Sequence, residues 1–127
     1  MADGAGIVAA VGSHVSRFQV GDRVTGLFHQ DHLAGPFDTS YLHSSLGGAL
    51  DGTLREYGAF SEQGLVRAPT NLSLAEAASL PCAALTAWSA LYPDEGRALR
   101  PGDTVLTEGT GGVSTFAIMV VNHHILA

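Results

Sequence analysis

The stretch Asp103-Thr-Val-Leu-Thr-Glu-Gly109-Thr-Gly111-Gly112-Val-Ser114 decides the fold that we predict for this chain. Pro101-Gly102 before it signals a turn, residues 103–107 suit a short strand, and Phe116 to Val121 suits a helix. A strand, a glycine turn and a helix N-terminus together form an anion site. The first helical N–H groups have no internal partners, and the helix dipole adds partial positive charge there.

The glycines of this turn follow the dinucleotide-binding pattern G-x-G-x-x-G/A except at its third position. Gly109 permits a tight turn, and Gly111 lets the backbone approach a pyrophosphate with no Cβ in the way. Ser114 stands at the third position, where its small side chain preserves close packing of the helix. A helix-start turn that binds nothing is the alternative, and the motif alone leaves both interpretations open.

The composition excludes several classes of partner. At 127 residues, with 46% hydrophobic and 14% charged residues, the chain is typical of a folded globular protein rich in loops. A net charge of −6 and the absence of lysine give no basic surface, so nucleic acid is not expected as a partner. A single cysteine excludes an intramolecular disulfide. No apolar run reaches the ~18 residues of a membrane span and no signal peptide is evident, so we expect a cytoplasmic protein without a membrane partner.

Short strands are predicted in the first half of the chain. Residues 4–12 suggest a strand entered through glycine, and residues 23–28 suggest a second. Residues 53–68 resemble a hairpin, with strands at 54–60 and 65–67 and a turn at 62–64. Residues 29–52 show no period, which is usual for functional or disordered loops.

The helical pattern begins at Ser73. Ser73-Leu-Ala-Glu76 is a capping box, in which the serine and glutamate side chains bond each other's backbone N–H groups. The helix after it is expected to end before Pro81. A second helix is predicted from about Cys82, with one apolar face formed by Leu85, Trp88, Leu91 and Tyr92.

Together these segments resemble the medium-chain dehydrogenase/reductase superfamily, and most closely its zinc-free, quinone-reductase-like branch. No single segment is decisive, but their order and spacing are specific, and the match runs from about residue 3 to residue 117. The matching segments are Asp3–Gly12, Val20–Val24, Gly47–Gly52, Glu56-Tyr57, Leu80–Leu91, Arg100–Val105 and Gly109–Ser114.

The resemblance implies an α/β protein with a β-barrel, in which this chain is incomplete at both ends. Residues 1–72 would form part of a GroES-like β-barrel substrate domain. Residues 73–127 would form hinge helices and the first β-turn-α unit of a Rossmann cofactor domain. The full-length enzyme is implied to move hydride between NAD(P)H, with NADP slightly favoured, and a small-molecule carbonyl, enone, quinone or alcohol. Substrate would enter a cleft bounded by residues 29–52, and a homo-oligomer is compatible with the family.

The resemblance also implies where the cofactor would lie. Its pyrophosphate would bind the glycine turn, formed by Gly109, Thr110, Gly111, Gly112, Val113 and Ser114. Thr86 matches a position whose hydroxyl lies near the nicotinamide, although a helix threonine bonding its own i−4 carbonyl is an equal alternative. No base or nucleophile can be assigned, so the catalytic residues stay unknown, and Tyr57 is expected in the core.

No zinc is expected. Cys82 stands where zinc-bearing relatives have a ligand, but a second ligand, a histidine, is replaced by Ala2, and catalytic zinc needs three protein ligands. Cys82 is therefore expected to be a small buried residue at a helix start. His29 and His32 are expected to be solvated or to line a cleft, because ligands at that spacing need a helix and Pro36 indicates a loop.

Two other functions remain open at this point. The chain could be a truncated, non-catalytic binding or interaction module derived from the family. A zinc-dependent alcohol dehydrogenase is the other alternative, and Ala2 argues against it. On its own, the truncated chain is expected to bind dinucleotide weakly or not at all.

Overall fold

The computed structural model describes residues 1–93 and 96–125, apart from the side chains of His124 and Ile125. The residues group into two compact units, Met1–Pro81 and Cys82–Ala127, and the domain limits expected at residue 72 stay a prediction. No helix in the described ranges is long and apolar enough to cross a membrane. The first unit contains β1 (Ala5–Ile7), β2 (Arg23–Gly26), 3-10 helices at Thr39–Ser44 and Glu62–Gly64, β3 (Leu65–Arg67) and α1 (Leu74–Ala78). A π-helix (Leu80–Ala84) follows, and then α2 (Leu85–Leu91) and α3 (Gly112–Ile125).

The first unit is built on a three-stranded antiparallel sheet in the order β1–β2–β3. Thr25 of the central strand pairs with Ala5 on one side and with Val66 on the other. Thr25 is buried, and α1 packs against β1 and β2 through Ala77, which has no exposed surface. This sheet is smaller than the β-barrel that the resemblance implies, because the described residues supply only these three strands.

Arginine and glutamate side chains fasten the sheet to the segments around it. The Arg23 guanidinium donates to the carbonyl oxygens of Thr70, at 3.3 Å, and Leu72, and so ties β2 to the chain that enters α1. The Glu62 carboxylate accepts the N–H groups of Arg17, at 2.8 Å, and Ser16, at 3.0 Å. These two hydrogen bonds lower the pKa of Glu62 below its ordinary value.

The predicted capping box is confirmed at the start of α1. The Ser73 hydroxyl accepts the Glu76 N–H at 3.2 Å, and the Glu76 carboxylate accepts the Ser73 N–H at 2.7 Å. The hydrogen bonds from Ser73 lower the pKa of Glu76. The helix itself is short, and it ends at Ala78, before Pro81 as expected.

The predicted hairpin over residues 53–68 is wrong in its first half. Leu65–Arg67 is a strand, but its partner is β2, and residues 54–60 form no ladder with any described strand. Leu54 and Tyr57, which would lie on opposite faces of a strand, are 81% and 79% exposed, so neither face is covered. The expectation that Tyr57 lies in the core is therefore also wrong.

The predicted strand at residues 103–107 does not form. No described strand lies beside it to supply ladder partners, and Leu106 is 83% exposed. The helix predicted after the glycine turn is present as α3. The turn and helix of the expected β-turn-α unit are thus observed, and its strand is not.

The second predicted helix begins three residues late and buries a different face. Residues 80–84 form the π-helix, and α2 starts at Leu85 instead of Cys82. Leu85 and Trp88 are 54% and 47% exposed, whereas Ala87 is fully buried. Of the predicted apolar face, Leu91 and Tyr92 are partly buried, and Leu85 and Trp88 are exposed.

Close backbone contact anchors the first residues of the chain. The Thr53 N–H donates to the Met1 carbonyl at 2.9 Å, and the Thr53 hydroxyl donates to the Asp3 carbonyl at 2.7 Å. Gly47 has a φ of +69°, and a Cβ there would lie 2.7 Å from the Met1 backbone nitrogen. Glycine is thus needed at position 47 both for its conformation and for space.

Replacement of three glycines by alanine separates these two requirements. Gly6→Ala should leave stability nearly unchanged, because its Cβ meets nothing within 4 Å. Gly21→Ala should lower the free energy of unfolding by about 1–2 kcal/mol, because φ is +94° but space is free. Gly47→Ala should cost more than Gly21→Ala, since the overlap with Met1 adds to the strain. Urea unfolding of the three variants measures the order, and a Gly47→Ala protein as stable as Gly21→Ala would contradict the close contact.

Candidate functional site

The candidate site is the glycine turn that leads into α3, within the second unit. Gly109 has a φ of +85°, a left-handed conformation that side chains disfavour. Gly111 has nothing within 4 Å of where its Cβ would be, so this side of the backbone is open. A Cβ on Gly112 would lie 3.1 Å from the Cβ of Ala83, so this glycine lets α3 begin close to the π-helix. Gly109 therefore allows the turn, Gly111 leaves the backbone accessible, and Gly112 allows close packing.

Gly112 provides close packing that the sequence interpretation had expected from Ser114. The Ser114 hydroxyl instead donates to the Glu108 carbonyl at 3.1 Å and closes the turn over six residues. The G-x-G-x-x-G/A pattern could not show the packing role of Gly112, because its neighbour Ala83 lies far away in the sequence.

The first turn of α3 presents backbone donors without acceptors. The first i→i−4 bond of the helix runs from the Thr115 N–H to the Gly111 carbonyl, at 3.0 Å. Before it lie the N–H groups of Gly112, Val113 and Ser114, and no group in the described part of the chain accepts a hydrogen bond from them. The first turn also carries no acidic side chain. Three N–H groups without acceptors at the positive end of a helix dipole can donate to an anion such as a phosphate, and cofactor binding at residues 109–114 stays a prediction.

Thr86 lies on α2, which packs against α3. Its hydroxyl donates to the Cys82 carbonyl at 2.7 Å, the backbone bond weighed in the sequence interpretation, and the residue is exposed. The oxygen keeps its two lone pairs and can accept a further hydrogen bond. A role near the nicotinamide stays a prediction.

Cys82 is exposed on the π-helix, so the expectation of a buried cysteine is wrong. The absence of zinc stays a prediction. Ala2 has no donor atom. Across residues 1–93 and 96–125, no three His, Cys, Asp or Glu side chains come together as metal ligands would.

His29 and His32 pack against aromatic rings in the 29–52 segment. The His29 ring lies 4.6 Å from the Phe28 ring, and its Nδ1 is 3.1 Å from the Tyr41 carbonyl oxygen. The His32 ring lies 4.8 Å from the Tyr41 ring, and Phe37 contacts both histidines. These contacts order a segment that has no sequence period, and they give the two histidines a packing role that the sequence interpretation missed.

The first unit contains an open cavity of about 500 Å³. Its walls are residues 4–12 along β1 and residues 53–60 opposite, with Val15 and Phe18 between them. None of residues 29–52 lines it, so this cavity is not the cleft that the sequence predicted.

Comparison with known proteins identifies the family and the relatives of this chain. The family model of the alcohol dehydrogenase GroES-like domain matches residues 1–70. A zinc-type alcohol dehydrogenase-like protein of Schizosaccharomyces pombe is 47% identical over 116 residues, which cover 91% of this chain and 34% of that protein. A 2-methylene-furan-3-one reductase of Solanum lycopersicum is 37% identical, over 95% of this chain and 28% of the reductase.

A solved structure gives the same relationship. It is a protein assigned as an alcohol dehydrogenase, from Sinorhizobium meliloti, and it superposes with a TM-score of 0.88 at 42% identity. The alignment covers 98% of this chain and 37% of the solved one. The chain thus spans about a third of the length of these relatives. With its first 70 residues matched by the family model, the chain belongs to the alcohol dehydrogenase GroES-like domain family, whose members compared here are named as oxidoreductases.

Proposed function

We propose that this chain is part of an NAD(P)-dependent oxidoreductase of the medium-chain dehydrogenase type, working without zinc. Its reaction moves hydride between the cofactor and a small carbonyl, enone, quinone or alcohol. The observation that carries the proposal is the open glycine turn with three N–H groups that lack acceptors. The tomato relative supports the substrate class, because its name describes reduction of an enone. We propose NADP slightly ahead of NAD as the cofactor, as the family resemblance implies.

The glycine turn has the chemistry that a pyrophosphate requires. The N–H groups of Gly112, Val113 and Ser114 donate to phosphate oxygens, and such charge-assisted bonds are stronger than neutral ones. Gly111 has free space beside its Cα, so the phosphate can approach the backbone closely. Gly109 holds the left-handed turn that orients the first helical turn toward the ligand.

Thr86 is the residue of the second unit that we assign to orient the nicotinamide. Its hydroxyl is held in one direction by the bond to the Cys82 carbonyl, which leaves the lone pairs on the opposite side free to accept. When bound, the nicotinamide supplies or takes the hydride, and the protein supplies position and electrostatics. Negative charge that develops on the substrate oxygen must be met by hydroxyl or backbone donors, since Ala2 and a single cysteine leave the zinc ligand set incomplete.

Gly111→Val tests the glycine turn on the chain as it stands. The wild-type chain should bind NADPH weakly, and saturation-transfer NMR on the nucleotide detects such binding. A valine side chain at this position meets no protein atom within 4 Å of its Cβ, so the fold should survive. It should block the phosphate and remove one or two charged hydrogen bonds, weakening binding by roughly 10- to 1000-fold at about 1.4 kcal/mol per decade.

Gly6→Val is the matched control, because a Cβ at Gly6 also meets nothing within 4 Å and the residue lies on β1. Its saturation-transfer signal should equal that of the wild type. Unchanged NADPH signal in a folded Gly111→Val protein would show that the turn is only structural.

Zinc content tests the proposal that the protein works without zinc. Because Ala2 replaces a histidine ligand and only one cysteine is present, the purified chain should contain far less than one zinc per molecule. Elemental analysis of wild-type and Cys82→Ala proteins should give the same low value. About one zinc per wild-type chain, lost in Cys82→Ala, would overturn the zinc-free assignment.

A further inference from the structure

The imidazole ring of His29 is held in one orientation by the chain around it. Its backbone forms an antiparallel bridge with Ser45, and the Leu46 N–H donates to the Phe28 carbonyl at 2.9 Å. The Phe28 ring meets the His29 ring at 86°, with the ring centroids 4.6 Å apart, and the Phe37 ring lies 5.0 Å away. Both the main chain and the side chain of His29 are therefore fixed.

One hydrogen bond determines which ring nitrogen of His29 carries the proton. Nδ1 lies 3.1 Å from the Tyr41 carbonyl oxygen. A carbonyl oxygen only accepts hydrogen bonds, so Nδ1 is the donor, and in the neutral imidazole Nε2 then carries a lone pair and no hydrogen. Nε2 is thus a hydrogen-bond acceptor whose direction is set by a fixed ring.

Nε2 of His29 is open to a ligand. No group in the described part of the chain forms a hydrogen bond with it. His29 is partly exposed, and the only buried side-chain nitrogen or oxygen without a partner in the described ranges is Oδ1 of Asp3, so solvent reaches Nε2. The Phe37 ring beside it is 51% exposed and adds apolar surface. An accessible acceptor beside an aromatic ring suits a small ligand that carries a hydroxyl and an apolar group.

The two other histidines of the 29–52 segment do not present this acceptor. His32 uses its Nε2 for the Gly35 carbonyl, at 3.1 Å, which leaves Nδ1, the nitrogen next to its own Cβ and main chain. His43 has an oxygen acceptor at both ring nitrogens, a main-chain carbonyl and a carboxylate. Of the three, His29 has the free nitrogen at the outer end of the ring.

We propose that Nε2 of His29 binds the hydroxyl of an alcohol whose aromatic or other apolar substituent packs against the Phe37 ring. This assignment rests on the proposed function, because an alcohol is one of the substrates named there, and it identifies the group of the first unit that contacts it. The acceptor selects the reduced form of such a substrate. An alcohol O–H donates to Nε2, whereas a carbonyl oxygen has no hydrogen to donate.

The histidine side-chain spectrum of the wild-type chain tests the tautomer and the site together. At a pH of about 8, where histidine is usually neutral, a long-range ¹H–¹⁵N spectrum should show His29 protonated at Nδ1 only. Millimolar benzyl alcohol should shift the Nε2 resonance of His29, and benzyl methyl ether, which lacks the donor, should not. His14 is the internal control, because it is exposed. A proton on Nε2 of His29, equal shifts from alcohol and ether, or equal shifts on both histidines would overturn the proposal.

Two replacements of His29 separate the acceptor from the fold. His29→Asn keeps an N–H donor near the Tyr41 carbonyl but lacks Nε2, and His29→Phe keeps an aromatic ring. The Tyr41 carbonyl also accepts the Ser44 hydroxyl at 2.8 Å, so it stays paired in both variants. In a titration followed at the Phe37 amide, each should bind benzyl alcohol about two- to tenfold more weakly, the usual effect of one neutral hydrogen bond. His14→Asn is the matched control and should bind like the wild type. Unchanged affinity in both His29 variants would contradict the assignment.

A titration of the same wild-type sample with NADPH reports on the proposed function separately. His29 lies in the first unit and the glycine turn in the second, so the two ligands are followed at different amides. Shifts on the glycine turn with NADPH, but none at His29 with benzyl alcohol, would overturn this assignment and leave the proposed function standing. Shifts at His29 with benzyl alcohol, but none with NADPH, would support the alcohol site and contradict the proposed function.

Discussion

The close approach of Gly112 to Ala83 is the contact on which the candidate site depends. Glycine lets the first residue of α3 lie this near the π-helix without displacing its neighbour, because a Cβ there would lie 3.1 Å from the Cβ of Ala83, closer than an ordinary contact. With α3 held at this point, the open backbone of Gly111 precedes the helix. The N–H groups that follow it have no acceptor in the described part of the chain. Packing on one side of the turn thus leaves the other side free for an anion.

The first unit depends in the same way on one strand that is paired on both sides. Strand β2 holds β1 and β3, and Arg23 fastens it to the chain that enters α1. The contact of Thr53 and Gly47 with Met1 anchors the start of the chain near β1. The Arg67 guanidinium also forms an ion pair with Asp22 at 2.9 Å, and so ties β3 to the chain that enters β2. Strand β2 is therefore the fixed centre of this unit.

The sequence predicted correctly those features that depend only on residues close together in the chain. The capping box at Ser73, the glycine turn and the helix after it need only neighbouring residues, and they are confirmed. Residues 54–60 and 103–107 have strand-like composition, but a strand also needs a ladder partner, and neither has one in the described ranges. The packing role of Gly112 was missed for a related reason, since it depends on Ala83, a contact between distant residues.

The amide spectrum of the wild-type chain with NADPH tests the central claim most directly. We claim that the first turn of α3 binds the cofactor's pyrophosphate. In a ¹⁵N–¹H titration with millimolar NADPH, the largest shifts should therefore fall on the amides of Gly111, Gly112, Val113 and Ser114. Inorganic pyrophosphate should move the same amides, because the N–H groups recognise the anion. Shifts confined to other residues, or none on this turn with either ligand, would contradict the claim.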